Sequence, residues 1–180
     1  MQHNEKLCTI FARLVHGVNV SILEAFSNGQ FLAILGAAIA VFLAGTGSAK
    51  GVGLVGEAAG GLVTEDPNKF GQCLLLQALP GTQGIYGLLT AFVIMTQVGI
   101  LGGAPPDTPA KGLLYLAGAL PVAFVGLFSA IAQGRAAAAG IGLIAKRPEE
   151  LSKAIVFAAM VETYAVLGLL ASILIVLNIN

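Results

Sequence analysis

Long apolar stretches separated by short polar ones dominate the chain. Apolar segments run over roughly 30–63, 69–101, 110–145 and 150–178, and the breaks between them read TEDPNK, GGAPPDTPAK and KRPEE. Each segment exceeds the ~20 residues a helix needs to cross a bilayer. The breaks gather Pro, Gly and charge, as turns do. The alternation expected of β-barrel strands is absent. The pattern therefore predicts an all-α membrane protein with four transmembrane helices. Residues 1–27 differ. Leu7, Ile10, Phe11, Leu14, Val18 and Ile22 recur at helical spacing, with Lys6, Arg13 and His16 among them. Arg13 and His16 interrupt the apolar core a signal peptide would need. An amphipathic helix at the outer interface is the preferred reading of this extension.

Composition agrees. Of 180 residues, 57% are hydrophobic and 10% charged, with mean hydropathy +0.90. A soluble domain averages about 25% charged residues, and the few present here could not cover a water-facing surface. Net charge is zero, and no nucleic-acid partner is implied. Cys8 and Cys73 match no metal or redox spacing and read as packing residues. The two histidines, both near the N-terminus, also suggest no metal site of that kind.

The four segments form two related pairs. Shifted by 81 residues, the halves align without a gap: TEDP (64–67) falls on AKRP (145–148), GTGSA (45–49) on GLFSA (126–130), and TQGIYGLL (82–89) on TYAVLGLL (163–170). This predicts a duplicated helical hairpin, with repeats over 28–100 and 109–180. An even number of spans restores orientation, so the repeat is parallel. Lys50, Lys69, Arg135, Lys146, Arg147 and Lys153 lie toward the 1–2 and 3–4 turns, and Lys6, Arg13 and Lys111 toward the other side. That bias places those two turns in the cytoplasm and both termini outside.

Small residues line the first and third segments. Gly126, Ala130, Gly134, Ala138 and Gly142 form an i+4 ladder, with Gly45, Ala49, Gly53, Glu57 and Gly61 as its counterpart. Such ladders let backbones approach closely. Packing within one four-helix bundle is the simpler use, but two full ladders suit a crowded inner ring of helices better.

Chemistry concentrates at mid-depth. Glu162, in AAMVETYAVLG, lies about 18 Å into the fourth helix at ~1.5 Å per residue. Of nine acidic residues it is the one set deep between long apolar flanks. A charge there costs at least ~2.5–3.5 kcal/mol, and such residues usually mark an ion or proton path. The alternative is a structural carboxyl paired inside the bundle. Counting from the turns brings Gln133 of the third segment, and Thr82, Gln83 and Tyr86 of the second, to the same level. One carboxylate, two amide carbonyls and a hydroxyl suit a hard alkali cation, whereas a proton needs only the carboxyl and one acceptor. Pro80 removes a helical hydrogen bond and frees the Leu76 carbonyl, and Gly81 allows the distortion. Irregular backbone at membrane depth is tolerated where it lines a site. Tyr86 is placed to donate its hydroxyl to Glu162, or is an ordinary packed tyrosine. Gln77 lies nearly two turns from Gln83 and is left outside the set. Glu162 aligns with Gly81, so the acid is present in one half and the chain carries one site per four helices.

LLLQALPGTQGIYG, SAIAQGRAAAAGIG and MVETYAVLG together closely resemble the proteolipid (c-type or K) subunit of rotary V-type ATPases, over about residues 30–180. The TQ pair and the third-helix glutamine look like the sodium-translocating branch. The resemblance implies a membrane ring of identical subunits, with helices 1 and 3 inside and helices 2 and 4 outside. It implies Na⁺ ligands at the Leu79 carbonyl, Thr82, Gln83, Gln133 and Glu162, with Tyr86 bonded to the carboxylate. It also implies a stator (a/I-type) subunit bearing an arginine, central-stalk subunits, and a separate soluble head that hydrolyses ATP. No phosphate loop occurs here. Lys50, deep in helix 1, would face the ring interior as a candidate contact for anionic membrane lipids.

The expected role is a rotor subunit carrying Na⁺ at Glu162. The same ring carrying H⁺ is the nearest alternative. A small four-helix cation exporter would also need one membrane glutamate, but the parallel repeat, the absence of tryptophan and the LPGTQG match stand against it. Glu162 argues against a purely structural pore.

Overall fold

The computed structural model describes residues 21–179. The extension expected over 1–27 therefore lies, up to residue 20, outside the described residues. Residues 21–26 are helical. The chain then restarts at Asn28, whose side chain accepts from the Gln30 and Phe31 amides, as an N-cap residue does.

Among the described residues, four helical spans are long and apolar enough to cross a membrane: Gly29–Glu65, Pro67–Gln97, Pro109–Lys146 and Pro148–Leu177. The first is one unbroken helix, α1 (Gly29–Glu65). The second is divided into α2 (Phe70–Ala78) and α3 (Thr82–Gln97) by a 3-10 turn, Leu79–Gly81. The third is α4 (Pro109–Lys146), capped by the Thr108 hydroxyl, and the fourth is α5 (Leu151–Leu177). At ~1.5 Å per residue α1 and α4 are about 55 Å long, well beyond a ~30 Å hydrocarbon core. Their ends must stand in the interfaces.

The apolar pattern carries the second span to residue 101, whereas the helix stops at Gln97. Gly99 (φ +80) and Gly103 (φ +68) occupy left-handed backbone, and Val98 bridges to Gly103. Only glycine adopts that conformation freely, so the turn begins inside the apolar run.

α1 and α4 make the most extensive contact in the chain, and they run side by side in the same direction. α3 packs on α1, and α5 packs on α4. Near the middle of the pair they approach closely around Gly51 and Gly134: a β-carbon on Gly134 would meet the Gly51 backbone at 2.5–2.8 Å. No residue but glycine fits either side of that crossing. Of the small-residue ladder, Gly126, Ala130 and Gly134 are buried against α1, so these three serve packing within the chain. Ala138 is half-buried, and Gly142 is exposed with open space over it. The α1 counterparts Ala49, Gly53, Glu57 and Gly61 are exposed.

Two long-range bonds tie the spans together at opposite ends, the first within the first hairpin and the second between the hairpins. Gln30 Nε2 donates to the Val98 carbonyl (2.9 Å), and Gln72 Nε2 donates to the Pro148 carbonyl (3.3 Å). Two buried clusters fill the interior, one around Ile94, Tyr115 and Val176, the other around Val55, Leu76 and Ile144. The outer faces of α3 and α5 carry exposed large apolar side chains, among them Ile85, Phe92, Phe157 and Leu167. Water does not tolerate such a belt, whereas lipid or other apolar helices do.

Candidate ion-binding site

The site lies between the two buried clusters, at the middle of the spans. Its origin is the break in the second one. Pro80 lacks an N–H and cannot continue α2, so the backbone tightens to 3-10 over Leu79–Gly81, and the Thr82 amide bonds to the Leu79 carbonyl. Pro80 itself is buried against Gly51 of α1. Four residues on, the Gly84 amide donates to the Ser48 hydroxyl of α1 at 2.8 Å. The Ser48 side chain thus ties the backbone just beyond the break to α1.

From this break a row of polar groups runs across three helices. The Thr82 hydroxyl lies 3.1 Å from the Leu79 carbonyl and 3.3 Å from Gln83 Oε1. Having one proton, it donates to one of these at a time. Gln83 Nε2 donates to Gln133 Oε1 on α4. Gln133 Nε2 donates in turn to Glu162 Oε2 on α5 at 3.2 Å. The Tyr86 hydroxyl, one turn beyond Thr82 on α3, donates to Glu162 Oε1 at 2.6 Å. Gln83 and Gln133 have no exposed surface at all. Two amides buried to that degree in an apolar bundle must pair.

The structure therefore brings Leu79, Thr82, Gln83, Tyr86, Gln133 and Glu162 into one connected network. Pro80 and Gly81 form the turn beneath it. The Leu76 side chain is fully buried in the lower cluster, and the carbonyl that meets the Thr82 hydroxyl is that of Leu79. Leu76 lies six residues before Thr82, whereas Leu79 lies three before it, the spacing of the 3-10 turn. Gln77 points elsewhere, with its amide against Gly56 of α1. Lys50 is exposed, next to Gly51, and takes no part in the network. Ser48 is the contributor that sequence reasoning missed. Its signal was its place three residues before Gly51 on a glycine-rich helix, too weak to read alone.

Glu162 is half-buried, at the open edge of the network, while the amides are sealed inside. The arrangement gathers oxygens of four kinds around one ionisable group: a backbone carbonyl, a hydroxyl, amide carbonyls and a carboxylate. That is the donor chemistry of hard cations.

Comparisons with known proteins agree in two ways. The family model described as the ATP synthase C subunit matches twice, over residues 35–94 and 116–175. The chain is 53% identical over 152 residues to the V-type sodium ATPase subunit K of Enterococcus hirae, covering 84% of this chain and 94% of that protein. It is 42% identical over 148 residues to the A-type ATP synthase subunit K of Methanocaldococcus jannaschii, covering 82% of this chain and 63% of that one. It is 27% identical over 143 residues to the 16 kDa proteolipid of the V-type proton ATPase of Nephrops norvegicus, covering 79% of this chain and 88% of that one. Each name is that of one subunit of a larger ATPase or synthase. With both hairpins matched separately, the chain is a multi-pass membrane protein that belongs to the family of the ATP synthase C subunit.

Proposed function

We propose that this chain is the rotor-ring subunit of a V-type ATPase and carries Na⁺ at Glu162. The observation that carries the proposal is the continuous hydrogen-bonded row, rich in oxygens, from the Leu79 carbonyl to the Glu162 carboxylate at the middle of the spans. The sodium ATPase subunit among the relatives supports the choice of ion. The chain itself does not hydrolyse ATP; that step belongs to other subunits. Identical copies form the ring, each with repeats over 28–100 and 109–180, and a stator subunit and central stalk complete the motor.

Glu162 takes Na⁺ from a half-channel while it faces the stator. As the network stands, Gln133 donates an N–H to the carboxylate. Half a turn about the last torsions of Gln133 and Gln83 together puts the Gln133 carbonyl oxygen there instead and keeps the two amides paired, so the pair serves the free carboxylate in one orientation and the cation in the other. Tyr86 keeps its bond to the second carboxylate oxygen and holds the group in place. Binding neutralises the site, which then rotates past lipid. An unneutralised carboxylate carries the bilayer penalty of ~2.5–3.5 kcal/mol or more, which blocks idle rotation. A stator arginine displaces the ion after a full turn. The 1–2 and 3–4 turns lie in the cytoplasm, and the termini outside.

The test is ²²Na⁺ binding to the purified ring, with unlabelled Na⁺, Li⁺ and K⁺ as competitors, beside proton uptake into vesicles. One saturable Na⁺ per chain, lost in Glu162→Gln, supports the proposal. Proton uptake without Na⁺ binding replaces it with the proton-carrying ring.

A further inference from the structure

α3 is seated on α1 through glycines. Gly84 and Gly87 stand three apart in the stretch GTQGIYG, a spacing that puts both on one face of the helix. That face turns toward α1. A β-carbon on Gly87 would meet the Ala40 carbonyl at 2.5 Å and the Ala44 side chain at 2.8 Å, and one on Gly84 would meet the Ser48 side chain at 3.3 Å. Thr82, Gln83 and Tyr86 alternate with these glycines and project elsewhere, where Gln83 meets Gln133 of α4 and Tyr86 meets Glu162 of α5. Contact between small residues sets how near α3 comes to α1. A hydrogen bond adds direction, because it weakens steeply when its angle or length is spoiled. At this level the bond is that from the Gly84 amide to the Ser48 hydroxyl, 2.8 Å long. Ser48 is 7% exposed, so little water competes for it. Among the described residues, the other hydrogen bond from α1 to this helix, Gln30 to the Val98 carbonyl, lies at its far end.

The 81-residue repeat supplies a comparison within the chain. Ser129 is the counterpart of Ser48, Val161 of Pro80 and Ala165 of Gly84. α5 runs unbroken through Val161 and Ala165. There the serine bonds within its own helix, donating to the Gly126 carbonyl at 3.5 Å. The serine of the inner helix therefore reaches across to the outer one in the hairpin whose outer helix is broken and carries the polar row, and stays at home in the other.

We propose that Ser48 is a positioning residue of the ion site: through the Gly84 amide it sets the height and rotation of the first turn of α3, and with them the reach of Thr82 and Gln83 toward the cation. This rests on the Na⁺ reading above and adds to it a residue that governs affinity without touching the ion. The leverage is short. Gln83 and Thr82 stand one and two residues before the bonded amide, and Tyr86 two residues after it. A binding constellation is spoiled by a shift of about 0.5 Å. Loss of the bond at Gly84 leaves the break at Pro80 and the glycine contacts in place, but frees the turn that carries the ligands.

The experiment is ²²Na⁺ titration of intact purified rings in a double-mutant cycle. Ser48→Ala removes the acceptor and one heavy atom. Its Na⁺ affinity should fall about fivefold, the worth of one neutral hydrogen bond. In a Thr82→Ala background the same change should cost only about twofold, because two changes that act on one contact do not add. Ser129→Ala, the repeat counterpart, should leave affinity unchanged. Ser48→Cys keeps the shape of the side chain and weakens its acceptor; it should show the same pattern in smaller measure, and it replaces the alanine variant if those rings fail to assemble. Wild-type affinity in the Ser48 variants overturns the assignment and leaves the sodium reading standing. An equal loss in the two backgrounds also overturns it, since that marks a general loosening of the bundle. Wild-type rings that bind no Na⁺ overturn both.

Discussion

The two hairpins began as the same structure and now do different work. Each has a long inner helix rich in small residues and an outer helix packed on it. Each also has a proline near which a serine from the partner helix accepts from a backbone amide. Ser48 accepts from Gly84 beyond Pro80, and Ser172 accepts from Val122 beside Pro121 at 3.0 Å. Yet Pro121 sits within a continuous α-helix, while Pro80 breaks its span into two with a 3-10 turn between. The first hairpin supplies the exposed backbone carbonyl, the hydroxyl, one amide and the tyrosine. The second supplies the carboxylate and the other amide. The charge is thus present once, in the second hairpin, with neutral groups of both hairpins in one network with it.

That division can be broken from either side. Glu162→Gln removes the contribution that only the second hairpin makes. A buried cation that loses its charged partner forfeits about 3–5 kcal/mol, so Na⁺ affinity should fall by more than about a hundredfold. The ring should still assemble; retention of ²²Na⁺ at wild-type affinity would separate Glu162 from ion carriage. Gln133→Leu breaks the bond between the hairpins and leaves the buried Gln83 amide without its acceptor. At about 1–3 kcal/mol for an orphaned buried group, titration should show affinity lower by roughly ten- to a hundredfold. Tyr86→Phe removes one donor to the carboxylate. The carboxylate then loses one charge-assisted bond that orders it, and Na⁺ affinity should drop about tenfold; wild-type affinity on ²²Na⁺ titration would make Tyr86 a packing residue only. Pro80→Ala lets the second span wind as α-helix and withdraws the Leu79 carbonyl. A loss of about fivefold is expected, roughly 1 kcal/mol for one neutral hydrogen-bond equivalent, with no loss of thermal stability. The smallest effect belongs to Lys50, exposed on α1 beside Gly51 but outside the network. Lys50→Ala should leave ion affinity unchanged and deplete anionic lipid co-purifying with the ring; unchanged lipid on mass analysis removes Lys50 from that role.

Much of the architecture was legible because apolar length and turn chemistry are local. The number of spans follows from the breaks TEDPNK, GGAPPDTPAK and KRPEE and the repeat from the gapless 81-residue alignment of the halves, and both are found. The end of the second span was not, since Gly99 and Gly103 bend the chain within an apolar run. At the site, counting residues from the turns brought Thr82, Gln83, Gln133 and Glu162 to one level, and depth in a membrane helix is linear in sequence. What counting could not give was which carbonyl the break at Pro80 turns toward Thr82. α-Helical bookkeeping points to Leu76, whereas the 3-10 turn presents Leu79. Nor could it divide the glycine ladder. Gly126 and Gly134 meet α1 in the same chain while Gly142 does not, because a straight helix drifts relative to a four-residue ladder and carries its far end off the contact face.

The measurement that bears most directly on the central claim is carbodiimide modification of Glu162 in the purified ring, followed across pH with and without Na⁺. The reagent modifies a protonated, reachable carboxyl. A sodium site predicts that millimolar Na⁺ protects Glu162 at a pH where it otherwise reacts, and that K⁺ at the same concentration does not. Protection by rising pH alone, indifferent to Na⁺, would contradict it and make the ring a proton carrier, with Gln83 and Gln133 reduced to packing partners.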